Sequence, residues 1–144
     1  MMRARDVMSH PVLVAEESWR IEDAGRLLAK YGYTAMPVID DHQRLVGIVS
    51  DSDLLTDPLA GRPLSRPRTV GGVMSTDVRF VYDDTPLDLV EHQMITAGVR
   101  VMPVISHGRL VGVISRRDLL RVLHRRRATS ADPRLPAGEQ QAAS

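Results

Sequence analysis

The sequence predicts an α+β fold in which one strand–helix–strand–strand–helix unit is written twice, and three observations carry that expectation. Residues 36–55 read Met-Pro-Val-Ile, a polar turn, Leu-Val-Gly, two β-branched residues, Ser-x-x-Asp and Leu-Leu, and residues 102–120 read the same again. Upstream, Val7-Met8-Ser9 returns as Val73-Met74-Ser75, and Gly32 returns as Gly98. The offset is 66 residues at Met36/Met102 and 65 from Leu45/Leu110 onward, so the copies differ by one residue in a turn, where a hairpin tolerates it. A half of about 50 residues is small for an independent core, so the two copies are expected to pack face to face.

Taken in order, Arg5 to Met8 reads as one helical turn, ended before Pro11 because the residue preceding proline disfavours the α region. Val12 to Ala15 is a short apolar run with the look of a small strand. Ile21, Ala24, Leu27, Leu28 and Tyr31 recur at spacings of three and four, the stripe of an amphipathic helix, and Gly32 ends it. Ala35 to Ile39 is a buried strand whose Pro37 points to a sheet edge or a bulge. After a turn, Leu45 to Val49 returns antiparallel to it, and Ser50 caps a short helix that stops near Asp57-Pro58.

Residues 58–72, with three prolines and three glycines, read as a connector between repeat one (1–57) and repeat two (73–127). In repeat two Thr85-Pro86-Leu87-Asp88 has the form of a capped helix start, and Leu87, Val90, Met94 and Ile95 form the apolar stripe. Trp19 stands where Thr85 stands, so Ser18 or Glu17 is expected to cap the first copy. A longer last helix ends in His124-Arg125-Arg126-Arg127, and 128–144, rich in Ala, Pro, Gln and Ser, is expected to be disordered.

Hydrophobic content of 43% with only 3% aromatic residues means that Val, Leu, Ile and Met fill the core. A net charge of +1 gives no global pull toward nucleic acid or an anionic membrane, so any anion site comes from local clustering. With no cysteine, disulfides, thiolate metal sites and cysteine nucleophiles are excluded. No run of about 18 apolar residues occurs, and the expected location is the cytoplasm. The five histidines have no metal-ligand spacing, and no phosphate-binding glycine loop or nucleophile elbow is present.

Met-Pro-Val-Ile, Leu-Val-Gly and Ser-x-x-Asp-Leu-Leu at matching positions of a doubled strand–helix–strand–strand–helix unit resemble the CBS domain pair, named from cystathionine β-synthase and also called a Bateman module. The resemblance covers roughly residues 3–125. It implies a stand-alone regulatory pair: two βαββα halves related by a pseudo-two-fold axis, packed sheet against sheet. Two clefts between them would take an adenine nucleotide (AMP, ADP or ATP) or S-adenosylmethionine as a regulatory ligand, with no cofactor required. It also implies a flat homodimer, for which Leu54/Leu55, Leu119/Leu120 and the last helix offer apolar surface.

On that reading Asp53 and Asp118 each grip the two hydroxyls of a ribose, since a carboxylate accepts hydrogen bonds from both, and Ser50 and Ser115 meet phosphate beside the first-turn amides. The alternative is a plain capping pair at both places. Repeat two places Arg116 and Arg117 beside the phosphate position, whereas repeat one places Asp51 there, so nucleotide is expected at the Asp118 cleft. Arg100, at the start of the second strand, either reaches phosphate or snorkels. Val12 to Val14, Val78 to Val81, Met36-Pro37 and Met102-Pro103 are candidates for the adenine slot, with simple core as the alternative.

Three functional readings follow. The first is a non-catalytic, adenosyl-sensing module, and the second is a ligand-free module that dimerises or docks an unidentified protein partner. The third is nucleic-acid binding through Arg62, Arg66, Arg68, Arg121, Arg125, Arg126 and Arg127, against which the near-zero net charge weighs. An enzyme is disfavoured because no base, nucleophile and orienting group converge.

Overall fold

The computed structural model describes residues 1–10, 12–55 and 68–129. The expected stop at Asp57-Pro58, most of the connector, Arg62, Arg66 and the tail beyond Thr129 lie outside the described residues. The first repeat carries α1 (Ala4–Val7), β1 (Ala15–Glu16), α2 (Ile21–Tyr31), β2 (Ala35–Ile39), β3 (Leu45–Ser50) and α3 (Asp51–Leu55). The second carries α4 (Val70–Val73), β4 (Val81–Tyr82), α5 (Leu87–Ala97), β5 (Val101–Ser106), β6 (Arg109–Ser115) and α6 (Arg116–Thr129). The two halves are therefore the same βαββα unit, each led by one helical turn. Val70 to Gly72, expected in the connector, are helical, and the first strands shrink to two residues that begin at Ala15 and Val81.

Each half forms a three-stranded sheet in the order β1-β2-β3 and β4-β5-β6, the first pair parallel and the second antiparallel. Pro37 and Pro103 lie in the central strands, not at an edge, opposite Ile48 and Val113. They are tolerated because Ile48 and Val113 aim their own N–H and C=O groups away from them. Ile48 exchanges both bonds with Ser75 (2.9 and 2.8 Å), and Val113 exchanges both with Ser9 (3.2 and 2.8 Å). A proline opposite such a residue removes no ladder bond.

Those bonds reveal an exchange between the halves. The lead-in segment of each repeat packs on the other repeat: Ala4 is buried in the core formed by Val81, Leu87, Val90, Met94, Met102, Val104, Ile114 and Val122. Val70 is buried in the core formed by Ala15, Ala24, Leu28, Met36, Val38 and Val49. The Ala4 amide donates to the Thr85 carbonyl (2.9 Å) and the Arg5 amide to that of Asp83 (3.0 Å). In mirror image the Val70 amide donates to Trp19 (2.8 Å) and the Gly71 amide to Glu17 (2.9 Å).

The same exchange replaces the expected side-chain caps. Neither α2 nor α5 has a side-chain cap bond. The first helical amides, Ile21 and Leu87, donate instead to the carbonyls of Arg68 (3.1 Å) and Met2 (2.9 Å) in the incoming segments. The Thr85 hydroxyl accepts from the Tyr82 amide (3.0 Å), closing the preceding turn, so neither it nor Ser18 or Glu17 caps a helix. Both helices end as expected in left-handed glycines, Gly32 (φ 68°) and Gly98 (φ 67°). Leu87, Val90 and Met94 are buried, but Ile95, about 100° further round the helix, is 78% exposed.

Leu-Val-Gly needs its glycine because the incoming Val-Met-Ser crosses directly above it. A Cβ on Gly47 would meet Met74 Sδ and the Ser75 carbonyl oxygen, both at 2.7 Å, and one on Gly112 would meet Met8 Sδ at 2.5 Å. Gly47→Ala is expected to destabilise by about 1–3 kcal/mol through overpacking. Adding Met74→Ala should not rescue it, because the Ser75 backbone stays in place. For Gly112→Ala the three nearest atoms all belong to the Met8 side chain, so the clash should be partly relieved by Met8→Ala. Urea unfolding of the four variants checks this, and full rescue of Gly47→Ala by Met74→Ala would contradict it.

Candidate functional site

The Ser-x-x-Asp motif forms at both strand-to-helix junctions as a reciprocal pair. In repeat one the Ser50 amide donates to Asp53 Oδ2 (2.9 Å) and the Asp53 amide to Ser50 Oγ (3.1 Å). In repeat two the Ser115 amide and hydroxyl both donate to Asp118 Oδ2 (2.8 and 3.0 Å), and the Asp118 amide donates to Ser115 Oγ (3.2 Å). The next amides, Asp51 and Arg116, donate to the carbonyls of Thr34 (2.8 Å) and Arg100 (3.2 Å). The amides of Ser115, Arg116 and Asp118 are thus occupied within the fold.

The two junctions then diverge. Asp118 is the one buried charged residue among the described residues, 7% exposed, whereas Asp53 is half-buried. Asp118 also accepts from the Ser9 hydroxyl, 3.2 Å from Oδ1 and 3.4 Å from Oδ2, and faces Arg121 Nη1 at 3.7 Å from Oδ1. Ser9 arrives on the exchanged lead-in segment, so repeat one's first residues complete the environment of repeat two's carboxylate.

A cavity of about 500 Å³ opens beside Asp118 and is walled by both repeats. Repeat two contributes Arg100, Val101, Val113, Ser115, Arg116, Arg117, Asp118 and Arg121; repeat one contributes Ser9, Val12, Leu13, the 31–35 segment and Pro37. Four arginines and one aspartate therefore line a single cavity, in a chain whose net charge is only +1. The rings of Tyr31 and Tyr33 stack with centroids 6.4 Å apart, Lys30 Nζ lies 5.5 Å from the Tyr31 centroid, and both tyrosines line the cavity. The site thus joins an aromatic and apolar wall to a cationic rim.

Of the residues singled out in the sequence, Ser115, Arg116, Arg117, Asp118, Arg100, Pro37 and Val12 meet at this cavity. Met36 and Met102 do not line it: they are buried in the two cores, at 1% and 0% exposure, which is the simple-core alternative. Pro103 is fully buried, and Pro103, Val78, Ser50 and Asp53 are outside the cavity wall. The sequence reading missed Ser9, Tyr31, Tyr33 and Thr34 and gave Arg121 to nucleic acid. The recurrence of Ser9 as Ser75 was the available signal. All five histidines are exposed. Among the described residues no group of three His, Asp or Glu side chains is placed to hold a metal, and no helix is long and apolar enough to cross a membrane.

Residues 4–59 and 70–125 each match the model of the CBS domain family. The chain belongs to that family. This CBS pair is 32% identical over 140 residues to an A-adding tRNA nucleotidyltransferase of Geobacter sulfurreducens, spanning 95% of the chain but only 15% of that enzyme. Among solved structures it is similar to CBSX2 of Arabidopsis thaliana in complex with AMP: 28% identity, TM-score 0.76, 88% of this chain and 99% of that one. It is also similar to the CBS domain pair of protein MJ0100 in complex with 5′-methylthioadenosine and S-adenosyl-L-methionine, at 27% identity, TM-score 0.72, 85% of this chain and 99% of that one.

Proposed function

We propose that this CBS pair is a non-catalytic sensing module of the cytoplasm that binds an anionic adenine nucleotide in the Asp118 cleft. The observation that carries the reading is the cavity itself, lined by four arginines and one aspartate of repeat two and by two stacked tyrosines of repeat one. The base would lie against Tyr31, Tyr33 and Val12, the ribose hydroxyls would approach Asp118 Oδ1, and the phosphates would meet Arg100, Arg116 and Arg117. S-adenosylmethionine fits less well, because a sulfonium about 4 Å from a guanidinium is disfavoured by roughly 1–4 kcal/mol. The AMP complex of CBSX2 supports the nucleotide, while the MJ0100 complex keeps S-adenosylmethionine as the competitor to be tested.

The ligand would touch both repeats at once. It would favour whichever placement of the halves lets it do so, by no more than its difference in affinity for the two placements. A partner, and the response to it, would read that placement.

The dimer reading has its own support. Leu89 and Ile95 on α5 and Leu120 and Leu123 on α6 are between 44% and 78% exposed, an apolar surface on which we propose that two copies pair.

Calorimetric titration with AMP, ADP, ATP and S-adenosylmethionine tests the ligand. Nucleotide should bind once per chain, with affinity that falls as salt rises. Asp118→Ala and Arg117→Gln should each weaken it by about tenfold or more, a loss of the size expected for a charge-assisted bond, and Asp53→Ala should leave it near wild type. Equal loss from Asp53→Ala and Asp118→Ala would refute the asymmetry. Light scattering of the same protein should give the mass of two chains, with Leu120→Glu shifting it toward one; a wild-type monomer at all concentrations would refute the dimer.

A further inference from the structure

We infer that Ser9 is an internal competitor for the Asp118 carboxylate, and so a residue that sets how strongly this cleft selects ligands carrying a vicinal diol. The inference rests on the nucleotide reading of the cleft. A carboxylate offers about four acceptor positions. On Asp118 the two of Oδ2 are taken by the amide and hydroxyl of Ser115, bonds internal to the helix start. Oδ1 is the oxygen with acceptor positions left; the Ser9 hydroxyl donates to it at 3.2 Å, also lying 3.4 Å from Oδ2, and Arg121 Nη1 stands 3.7 Å away. A ribose diol needs the same positions. Ser9 therefore stands where a ligand hydroxyl would stand.

Displacing it requires no movement of the chain. Ser9 is fixed by its backbone, which exchanges two hydrogen bonds with Val113 (2.8 and 3.2 Å), while its side chain is exposed at the cavity. Rotation about χ1 alone would move the hydroxyl from Asp118 to water. Repeat one differs: Asp53 accepts from the Ser50 amide, the equivalent Ser75 bonds Ile48 through its backbone, and among the described residues the Ser75 hydroxyl makes no hydrogen bond to Asp53. The competition is thus a property of the Asp118 cleft among the described residues.

The test compares AMP with 2′,3′-dideoxyadenosine monophosphate on wild type, Ser9→Ala and Ser9→Thr. Ser9→Ala should bind AMP about three- to tenfold more tightly, the range of one net hydrogen bond, with affinity for the dideoxy compound unchanged because that ligand leaves Ser9 in place. Ser9→Thr, which keeps the hydroxyl, should match wild type. A change in Ser9→Ala that is equal for both nucleotides, or weaker binding of AMP, would overturn the inference while leaving the nucleotide reading intact. Absence of AMP binding to wild type and Ser9→Ala alike would overturn both. A thermal melt of each variant confirms that the proteins compared are folded.

Discussion

The reciprocal exchange of lead-in segments is the constraint on which the rest of the structure depends. Each repeat is too small to close its own core, and each is closed by one helical turn and three residues of the other, through Ala4 on one side and Val70 on the other. That crossing fixes several residue choices at once. It places a methionine over the strand glycine, turns the outer edge of β3 and β6 into a bonded edge, and lets proline occupy the central strand opposite. It also supplies the carbonyls that accept from the first amides of α2 and α5, which have no side-chain cap. The motif pairs Val-Met-Ser and Leu-Val-Gly are thus two halves of one contact, made between repeats.

The exchange explains why the cleft beside Asp118 belongs to both repeats. Because Ser9 travels with α1 to the second repeat, the carboxylate that repeat two presents is completed by repeat one. A ligand in that cavity would sense the placement of the halves directly. The hairpins show how the copies diverged without disturbing this frame. In the first, Asp40 accepts from the amides of Arg44 (2.9 Å) and His42 (2.8 Å), which hold its carboxyl below the ordinary range, aided by the Arg44 guanidinium. In the second, Ser106-His107-Gly108 makes a turn one residue shorter, far from the cleft. The charges at the helix starts also diverged, Asp51 in the first against Arg116 and Arg117, which line the cleft, in the second.

Much of the fold was legible because it rests on periodicities. The stripes through Ala24/Leu28 and Leu87/Val90/Met94, the glycine stops and the Ser-x-x-Asp caps all form from residues close in sequence and appear as read, although Tyr31 and Ile95, counted in the same stripes, are exposed. The exchange was not legible for a physical reason. When two copies carry the same motifs, pairing Val-Met-Ser with its own Leu-Val-Gly and pairing it with the other copy's satisfy the same hydrophobic pattern; only chain geometry separates them. The misread cap at Thr85 and the missed Ser9 follow from that one ambiguity. Met36 and Met102 were misplaced because a buried strand alternates faces, and the apolar run does not say which face meets the cleft and which the core.

The account stands on the two halves being one cooperative body closed by their exchanged segments. The direct measurement is equilibrium unfolding in urea followed at once by the fluorescence of Trp19, which packs against the first core, and by far-ultraviolet circular dichroism, which reads the helices of both halves. Coincident midpoints and slopes are predicted. A Trp19 transition separated from the circular dichroism transition would mean that the halves fold apart, and would contradict the account.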